Sequence, residues 1–126
     1  WKAVQLEDYL IDFTKLLGGI NASNVAYAVC YIHSKGNFAD LVMKVGSNDQ
    51  SKVYLNGREI HRRMHDRTYI EDQDAVSGIE LRTGLNVLVF KVVNDDGGWQ
   101  GSVRFTDHAD HPLKGITVTL DPDQDR

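Results

Sequence analysis

The chain has a single cysteine, Cys30, among its 126 residues, so no disulfide can form within it. Its neighbours Val29 and Tyr31 continue an apolar run, and a free cysteine in such a setting usually behaves as a small buried hydrophobe. A catalytic thiolate needs an electropositive and partly exposed environment, which this stretch does not offer. We therefore predict a buried, unreactive thiol.

Long apolar runs and basic clusters are also missing. No run approaches the ~20 residues of a membrane helix, and no leader-like segment precedes Trp1, so we expect a soluble piece of a longer protein. The net charge is -4, and the most basic stretch, Arg58 to Arg67, is interrupted by Glu59 and Asp66. Since nucleic-acid binding needs a clustered positive face, we expect neither a nucleic-acid nor a membrane partner.

Catalytic motifs are absent as well. The sequence has no Gly-x-Ser-x-Gly elbow, no phosphate-binding loop and no His-Glu-x-x-His. Glycoside hydrolysis needs two carboxylates ~5 to 10 Å apart, but with 18 acidic residues some pair always meets that distance, so the count decides nothing. We expect that this domain by itself is not an enzyme.

Apolar residues that alternate with polar ones dominate the rest of the chain, as in half-buried strands. The clearest local signal is Asn56-Gly57 between two such runs, which predicts a β-hairpin with a type I′ turn. Short strands separated by turn residues predict an all-β fold, an antiparallel β-sandwich. The predicted strands are 25–33, 39–45, 53–55, 58–61, 76–81, 86–93, 102–106 and 116–120, with a turn-forming loop at 94–98.

Two segments depart from simple alternation. The run from Val25 to His33 is apolar on both faces, which predicts a central strand covered on both sides. Residues 6–17 have helical spacing, enough for a short helical turn. We divide the single domain into a lead-in (1–23), a sandwich core (24–120) and a polar tail (121–126) expected to be a frayed end or linker.

The run from Val45 to Arg58 resembles the "GSDDGxKVWLNGK" signature of galactose-binding-like jelly-roll domains. These domains occur at the N-terminus of β-galactosidase-type glycoside hydrolases and as carbohydrate-binding or accessory modules of large bacterial proteins. Tyr27 to His33, Leu81 to Asn94 and Gly97 to Asp107 also fall in the expected order. The similarity covers roughly residues 24–115, and it implies a jelly-roll β-sandwich.

The same resemblance implies a non-catalytic carbohydrate-binding module of a larger, polysaccharide-active bacterial protein that is extracellular or periplasmic. Its partners would be a poly- or oligosaccharide and the neighbouring domains of the parent chain. The alternative is a structural or protein–protein interaction domain that packs against a neighbour, with Tyr54 and Val42 in one continuous exposed patch.

Sugar recognition needs rings that stack on pyranose C–H faces and polar groups that bind hydroxyls. Trp99 either stacks on a ligand or packs in the core. Tyr54 and Tyr69 can each be ligand-facing or structural. The candidate ligand-binding residues are Tyr54, Tyr69, Trp99, Arg62, Arg63, Asp95 and Asp96.

The resemblance also implies a structural calcium ion. Asp49, Asp72 and Asp74 are the candidate metal ligands, because carboxylate oxygens suit calcium. Ordinary turn chemistry is the preferred interpretation of the acidic loops. This copy has Asn48 where the family often has aspartate, so it has one carboxylate fewer at the signature loop. The family often has glycine where this chain has Gln50.

A second metal-like pattern is His61-x-x-x-His65, which has the spacing of two ligands on one helical face. Its arginine neighbours disfavour a divalent cation, and a solvated loop is the preferred interpretation.

Overall fold

The computed structural model describes residues 1–6, 8–18 and 22–123. Its one helix in these ranges, α1, is Phe13–Leu16, shorter than the helical spacing over 6–17 suggests. No helix of this described part is long and apolar enough to cross a bilayer. The strands are β1 Ile11–Asp12, β2 Ala22–Ser34, β3 Phe38–Asn48, β4 Ser51–Leu55, β5 Arg58–Arg63, β6 Asp74–Leu81, β7 Gly84–Asp96, β8 Gln100–Thr106 and β9 Ile116–Thr119.

Two antiparallel sheets pack face to face. The first has four strands in the order β1-β8-β3-β6, and the second has five in the order β5-β4-β7-β2-β9. Met43 and Val45 of the four-stranded sheet and Val53 and Val92 of the five-stranded sheet are 0% exposed, because alternate side chains of each strand point into the space between the layers. The predicted antiparallel β-sandwich is confirmed.

The β4–β5 hairpin turns at Asn56 and Gly57. Their φ angles are 52° and 81°, the two positive values that a type I′ turn requires, so this prediction is confirmed. The register between the two strands shifts by one residue near Val53 and Tyr54. That bulge decides which residues of β5 point outward.

The ends of several elements differ from the sequence prediction. Strand β7 continues through residues 94 and 95, which we predicted as a loop, because its ladder with β2 extends that far and pairs Asn24 with Asn94. The lead-in contributes to the sandwich, since β1 pairs with β8 and Phe13 is a buried core residue. The tail is described only to Asp123; its remainder, 124–126, lies outside the described residues.

Residues 64–73, here called the covering loop, connect β5 to β6 and cross the outer face of the four-stranded sheet. Gly46 of β3 is the point of closest approach: a Cβ there would lie 2.5 Å from the Ile70 carbonyl oxygen and 2.9 Å from the Tyr69 ring. The Tyr69 hydroxyl donates to Ser102 Oγ of β8 at 3.0 Å. The loop therefore packs directly on the sheet backbone.

Arg67 fastens this loop to both strands beneath it. Its guanidinium donates to both carboxylate oxygens of Asp74, at 2.9 and 2.6 Å, and to the backbone oxygen of Ser47 at 3.0 Å. His61 Nε2, from the edge strand β5 of the other sheet, lies 3.0 Å from Asp74 Oδ2. The Arg67–Asp74 pair thus connects the covering loop to β3 and to β6, the edge strand of the four-stranded sheet. Through His61 it also reaches β5, the edge strand of the five-stranded sheet.

We predict that Gly46→Ala lowers the free energy of unfolding by about 1–3 kcal/mol, because the new methyl group overpacks a site whose nearest atom is backbone and cannot rotate away. Gly36→Ala is the matched control, since nothing lies within 4 Å of a Cβ there, and it should change stability by less than about 0.5 kcal/mol. Urea unfolding measures both. Equal stability of the two variants would show that the loop does not press on Gly46.

Asp74 gives the fold a defined pH dependence. Burial alone would raise the pKa of Asp74, but hydrogen bonds and charges from Arg67 and His61 outweigh it and hold the pKa below its usual value. A lowered folded-state pKa stabilises the fold above the unfolded pKa, and this contribution is lost as the pH falls through the folded value.

We therefore predict that Asp74→Asn costs about 1–3 kcal/mol at pH 7, since it leaves Arg67 without its carboxylate. The difference from the parent should narrow below about pH 4 and should be followed by urea unfolding at several pH values. Asp40→Asn, at an exposed carboxylate, is the control and should shift stability by less than about 0.5 kcal/mol. A pH-independent difference at position 74 would contradict this account.

Candidate ligand-binding face

The outer face of the five-stranded sheet keeps apolar side chains at the surface. Strand β2 alternates regularly along its whole ladder with β7, so its odd-numbered residues point away from the core. Val25 and Tyr27 are 48% and 49% exposed, and Val29 and Tyr31 are partly exposed. We predicted that this strand is covered on both sides. Within the described residues that is wrong for the half of β2 that holds Val25 and Tyr27.

Strands β7, β4 and β5 continue the same surface. Strands β7 and β4 are in regular register with their neighbours, so the residues opposite the odd positions of β2 also point outward. On β5, the two sides of the bulge place Arg62 opposite Lys52 and Glu59 opposite Tyr54. We call this surface the open face. Its residues are Val25, Tyr27, Val29, Tyr31, Val87, Val89, Lys91, Val93, Lys52, Tyr54, Glu59 and Arg62.

Three tyrosines are spread over the open face. Tyr27 and Tyr31 are four residues apart on β2, about 13 Å at the usual rise of a strand. Tyr54 stands opposite Val89, and Val89 stands opposite Val29, so Tyr54 lies level with the midpoint between the other two rings. It is two strands away from them, about 10 Å. The arrangement is a broad triangle on the outer face of the sheet.

Charged side chains lie along one side of this triangle. Lys91 Nζ is 5.8 Å from the centroid of the Tyr27 ring. Lys52 Nζ is 3.5 Å from a carboxylate oxygen of Glu59, and Arg62 Nη2 is 2.6 Å from the other. The hydrogen bond from Arg62 and the charges of Arg62 and Lys52 lower the pKa of Glu59. The open face therefore combines rings with ionised groups that donate and accept hydrogen bonds.

Trp99 is in the core, one of the two alternatives that the sequence left open. It is 2% exposed, its indole nitrogen donates to the Val92 carbonyl at 3.2 Å, and its ring centroid lies 5.5 Å from that of Phe13. The ligand-stacking role considered for Trp99 is wrong in this structure, because the ring is shielded from solvent.

The two candidate tyrosines have different positions. Tyr54 points outward on the open face, with its side chain partly exposed. Tyr69 belongs to the covering loop on the opposite side of the sandwich, where it packs on Gly46 and where burial raises its pKa. The structure thus separates these tyrosines, and only Tyr54 joins the triangle.

Arg62 and Arg63 also separate, because consecutive residues of a strand point to opposite sides. Arg62 is exposed on the open face and is opposite Lys52. Arg63 is opposite Ser51, a buried residue, and its Nε has no hydrogen-bond partner in the described chain. The two arginines therefore do not converge on one ligand.

Three aspartates meet where β7 leaves the sheet. Carboxylate oxygens of Asp49, Asp66 and Asp95 all lie within 4.8 Å of one another, and Gln50 Nε2 donates to Asp66 and Asp95. A hydrogen bond with Asp95 raises the pKa of Asp66, while the hydrogen bond from Gln50 contributes most to lowering that of Asp95. These are hard oxygen donors of the kind calcium prefers. The calcium ion stays a prediction.

The other candidate carboxylates are held by arginines. Asp72 accepts two hydrogen bonds from Arg104 Nε and one, at 2.6 Å, from its Nη2, and Asp74 is bound by Arg67. Both therefore neutralise a cation of the protein and stand apart from the aspartate cluster. The side chain of Asp96 lies outside what the structure describes.

The histidine pair does not form a metal site in the described chain. His61 points into the sandwich toward Asp74, and His65 is exposed in the covering loop. The helical spacing is irrelevant, since residues 61–65 span the end of a strand and a loop.

An open cleft of about 520 Å³ lies between the β4–β5 hairpin and β6. It is lined by residues 55, 56 and 58–60 of the hairpin and 76–80 of β6, none of which is aromatic. It lacks a stacking surface, and the open face is the better candidate for a sugar site.

The exposed patch expected around Tyr54 and Val42 is also different from the prediction. Val42 belongs to β3 of the four-stranded sheet and is 7% exposed, so it cannot share a surface with Tyr54 of the other sheet. The apolar patch that does exist centres on Tyr27 and Tyr31. The sequence signal for this patch was the presence of apolar residues on both faces of β2, and we interpreted both faces as covered.

Comparison with known proteins finds no family model, no curated protein and no solved structure that matches the chain.

Cys30 is partly buried against the core, and burial raises the pKa of its thiol to about 11. We predict that iodoacetamide alkylates it about 100-fold more slowly at pH 8 in the folded protein than in urea, since only the thiolate reacts. Mass spectrometry of the alkylated fraction with time measures both rates. Rates within about tenfold of each other would contradict a shielded, protonated thiol.

Proposed function

We propose that this domain is a non-catalytic carbohydrate-binding module whose ligand lies on the open face. The observation that carries the proposal is the triangle of Tyr27, Tyr31 and Tyr54 on the outer face of the five-stranded sheet, where Tyr27 is exposed and the other two are partly exposed. Pyranose rings present apolar C–H faces that stack on aromatic rings, while their hydroxyls need polar partners nearby. Lys91, beside the Tyr27 ring, supplies such a donor.

An open sheet face with rings about 10 to 13 Å apart suits an extended polysaccharide better than a single sugar, which a deep pocket would enclose. The resemblance of Val45 to Arg58 to galactose-binding-like jelly-roll domains supports the same function. It also supports an origin in a larger, polysaccharide-active bacterial protein that is extracellular or periplasmic.

Affinity electrophoresis through gels that contain soluble polysaccharides tests this function. We expect retardation on at least one of them, and we expect Tyr27→Ala and Tyr54→Ala each to weaken binding about 10- to 30-fold, as truncation of a central aromatic does. Tyr9→Ala is the control, because Tyr9 is exposed on the lead-in and outside the open face. A folded domain that no polysaccharide retards would overturn the proposal.

The second candidate is an accessory domain that packs against a neighbouring domain through the same face. The specific observation is the aliphatic content, since Val25, Val29, Val87, Val89 and Val93 offer no hydrogen bonds and suit a protein partner. Nitration of Tyr27 in the isolated domain and in a longer stretch of the parent protein distinguishes the two. Protection that appears only in the longer chain, without polysaccharide binding, would favour packing.

A further inference from the structure

The open face carries a row of cations at directly opposite positions. Lys91 of β7 is opposite Lys52 of β4, and Lys52 is opposite Arg62 of β5. Tyr27 of β2 is opposite Lys91 and begins the row. Neighbouring strands are about 5 Å apart, so the three cations span about 10 Å across the sheet. The row is positive although the whole chain has a net charge of -4.

The compensation of these charges within the protein is incomplete. Glu59 is shared by Lys52 and Arg62, and along the described chain Lys91 has no carboxylate within ion-pair distance, only the Tyr27 ring. Three cations against one carboxylate leave the row with a net charge of about +2. Lys52 and Lys91 stand opposite each other, an arrangement that destabilises a sheet.

A negatively charged group above Lys52 and Lys91 would remove this repulsion and complete the pairing. The ring of Tyr27 lies next in the row, within the width of one sugar unit. The row thus offers an anion position and a stacking position side by side, the two contacts that a charged sugar makes.

We propose that the polysaccharide bound by the open face is acidic: its carboxylate or sulfate groups bind Lys91 and Lys52 while a pyranose ring stacks on Tyr27. This inference rests on the proposed function and names the class of its ligand. Arg62, which Glu59 already holds, extends the positive potential toward the edge of the sheet.

The direction of the chain also follows from the charges. Asp95 of the aspartate cluster is four residues beyond Lys91 on β7, about 13 Å away. At that distance, beyond the Debye length of about 8 Å at physiological salt, the cluster leaves an anion on Lys91 undisturbed, but it blocks an anionic chain that runs along β7 toward Asp95. An anionic ligand therefore extends from Lys91 away from Asp95, either across the strands toward Arg62 or along the sheet toward Tyr54 and Tyr31.

Nucleic acid fits this surface less well. A phosphate backbone needs a longer positive track, and the row ends after three cations with an acidic cluster at one side. We therefore argue for a glycan and treat other polyanions as outcomes of the test.

Matched ligands test the inference on the whole chain. Polygalacturonate is compared with its methyl ester, and dextran sulfate with dextran, by affinity electrophoresis and by calorimetry at 50 and 500 mM NaCl. We expect tighter binding to the charged member of at least one pair, with the advantage lost at high salt because exposed charges are screened. The pair that responds tells carboxylate from sulfate.

Variants localise the effect. Lys52→Gln/Lys91→Gln should weaken binding to the charged ligand about 5- to 20-fold, as expected for two exposed ion pairs. Binding to the neutral member should weaken by a clearly smaller factor, because the glutamine amides still donate hydrogen bonds to hydroxyls. Lys35→Gln/Lys114→Gln removes the same charge from residues outside the open face and is the matched control. Glu59→Gln should strengthen binding to the charged ligand about 2- to 5-fold, since it removes a competitor for Lys52; a purely structural role of the row predicts the opposite.

The possible outcomes distinguish the inference of an acidic ligand from the underlying proposal of carbohydrate binding. Equal binding of charged and neutral members, lost in Tyr27→Ala, overturns the acidic ligand and keeps the carbohydrate function. Equal binding of polygalacturonate, DNA and polyglutamate shows that any polyanion is accepted and overturns the glycan. Absence of binding to every polysaccharide overturns both.

Discussion

The double hydrogen bond between Arg67 and Asp74 is a central contact of the covered side of this sandwich. It anchors the covering loop across the four-stranded sheet, where Tyr69 packs on the bare backbone of Gly46. A loop held there is not available to cover the five-stranded sheet. On the outer surface of that second sheet, Tyr27 is half exposed.

Local rules predicted the fold well because the signals were local. Asn56 and Gly57 adopt the two positive φ angles that asparagine and glycine tolerate, and alternation placed Val53 inside and Tyr54 outside without any knowledge of their partners. Strand ends were less accurate: β7 reaches Asp96 because a distant strand, β2, continues to pair with it. The length of a strand depends on the strand with which it pairs, and the local sequence pattern carries no information about that partner.

The candidate site was harder to predict because exposure depends on what lies opposite. An apolar residue such as Tyr27 looks the same in sequence whether a second layer covers it or not. The buried Trp99 packs against Phe13, which is 86 positions earlier in the sequence. One error was avoidable, since period-two alternation alone separates Arg62 from Arg63. The cationic row could not be predicted from the sequence, because Lys91 and Lys52 are brought together by pairing between two remote segments of the chain.

Under the proposed function, the open face places stability and binding in opposition. A sheet optimised only for folding would place a carboxylate opposite Lys52, where this one places Lys91, and would cover or replace the outward valines. Both features cost stability in the free domain, and both costs fall when an anionic, partly apolar ligand occupies the face. Two separate liabilities on one surface, relieved by a single kind of partner, are a stronger argument for binding than either would be alone.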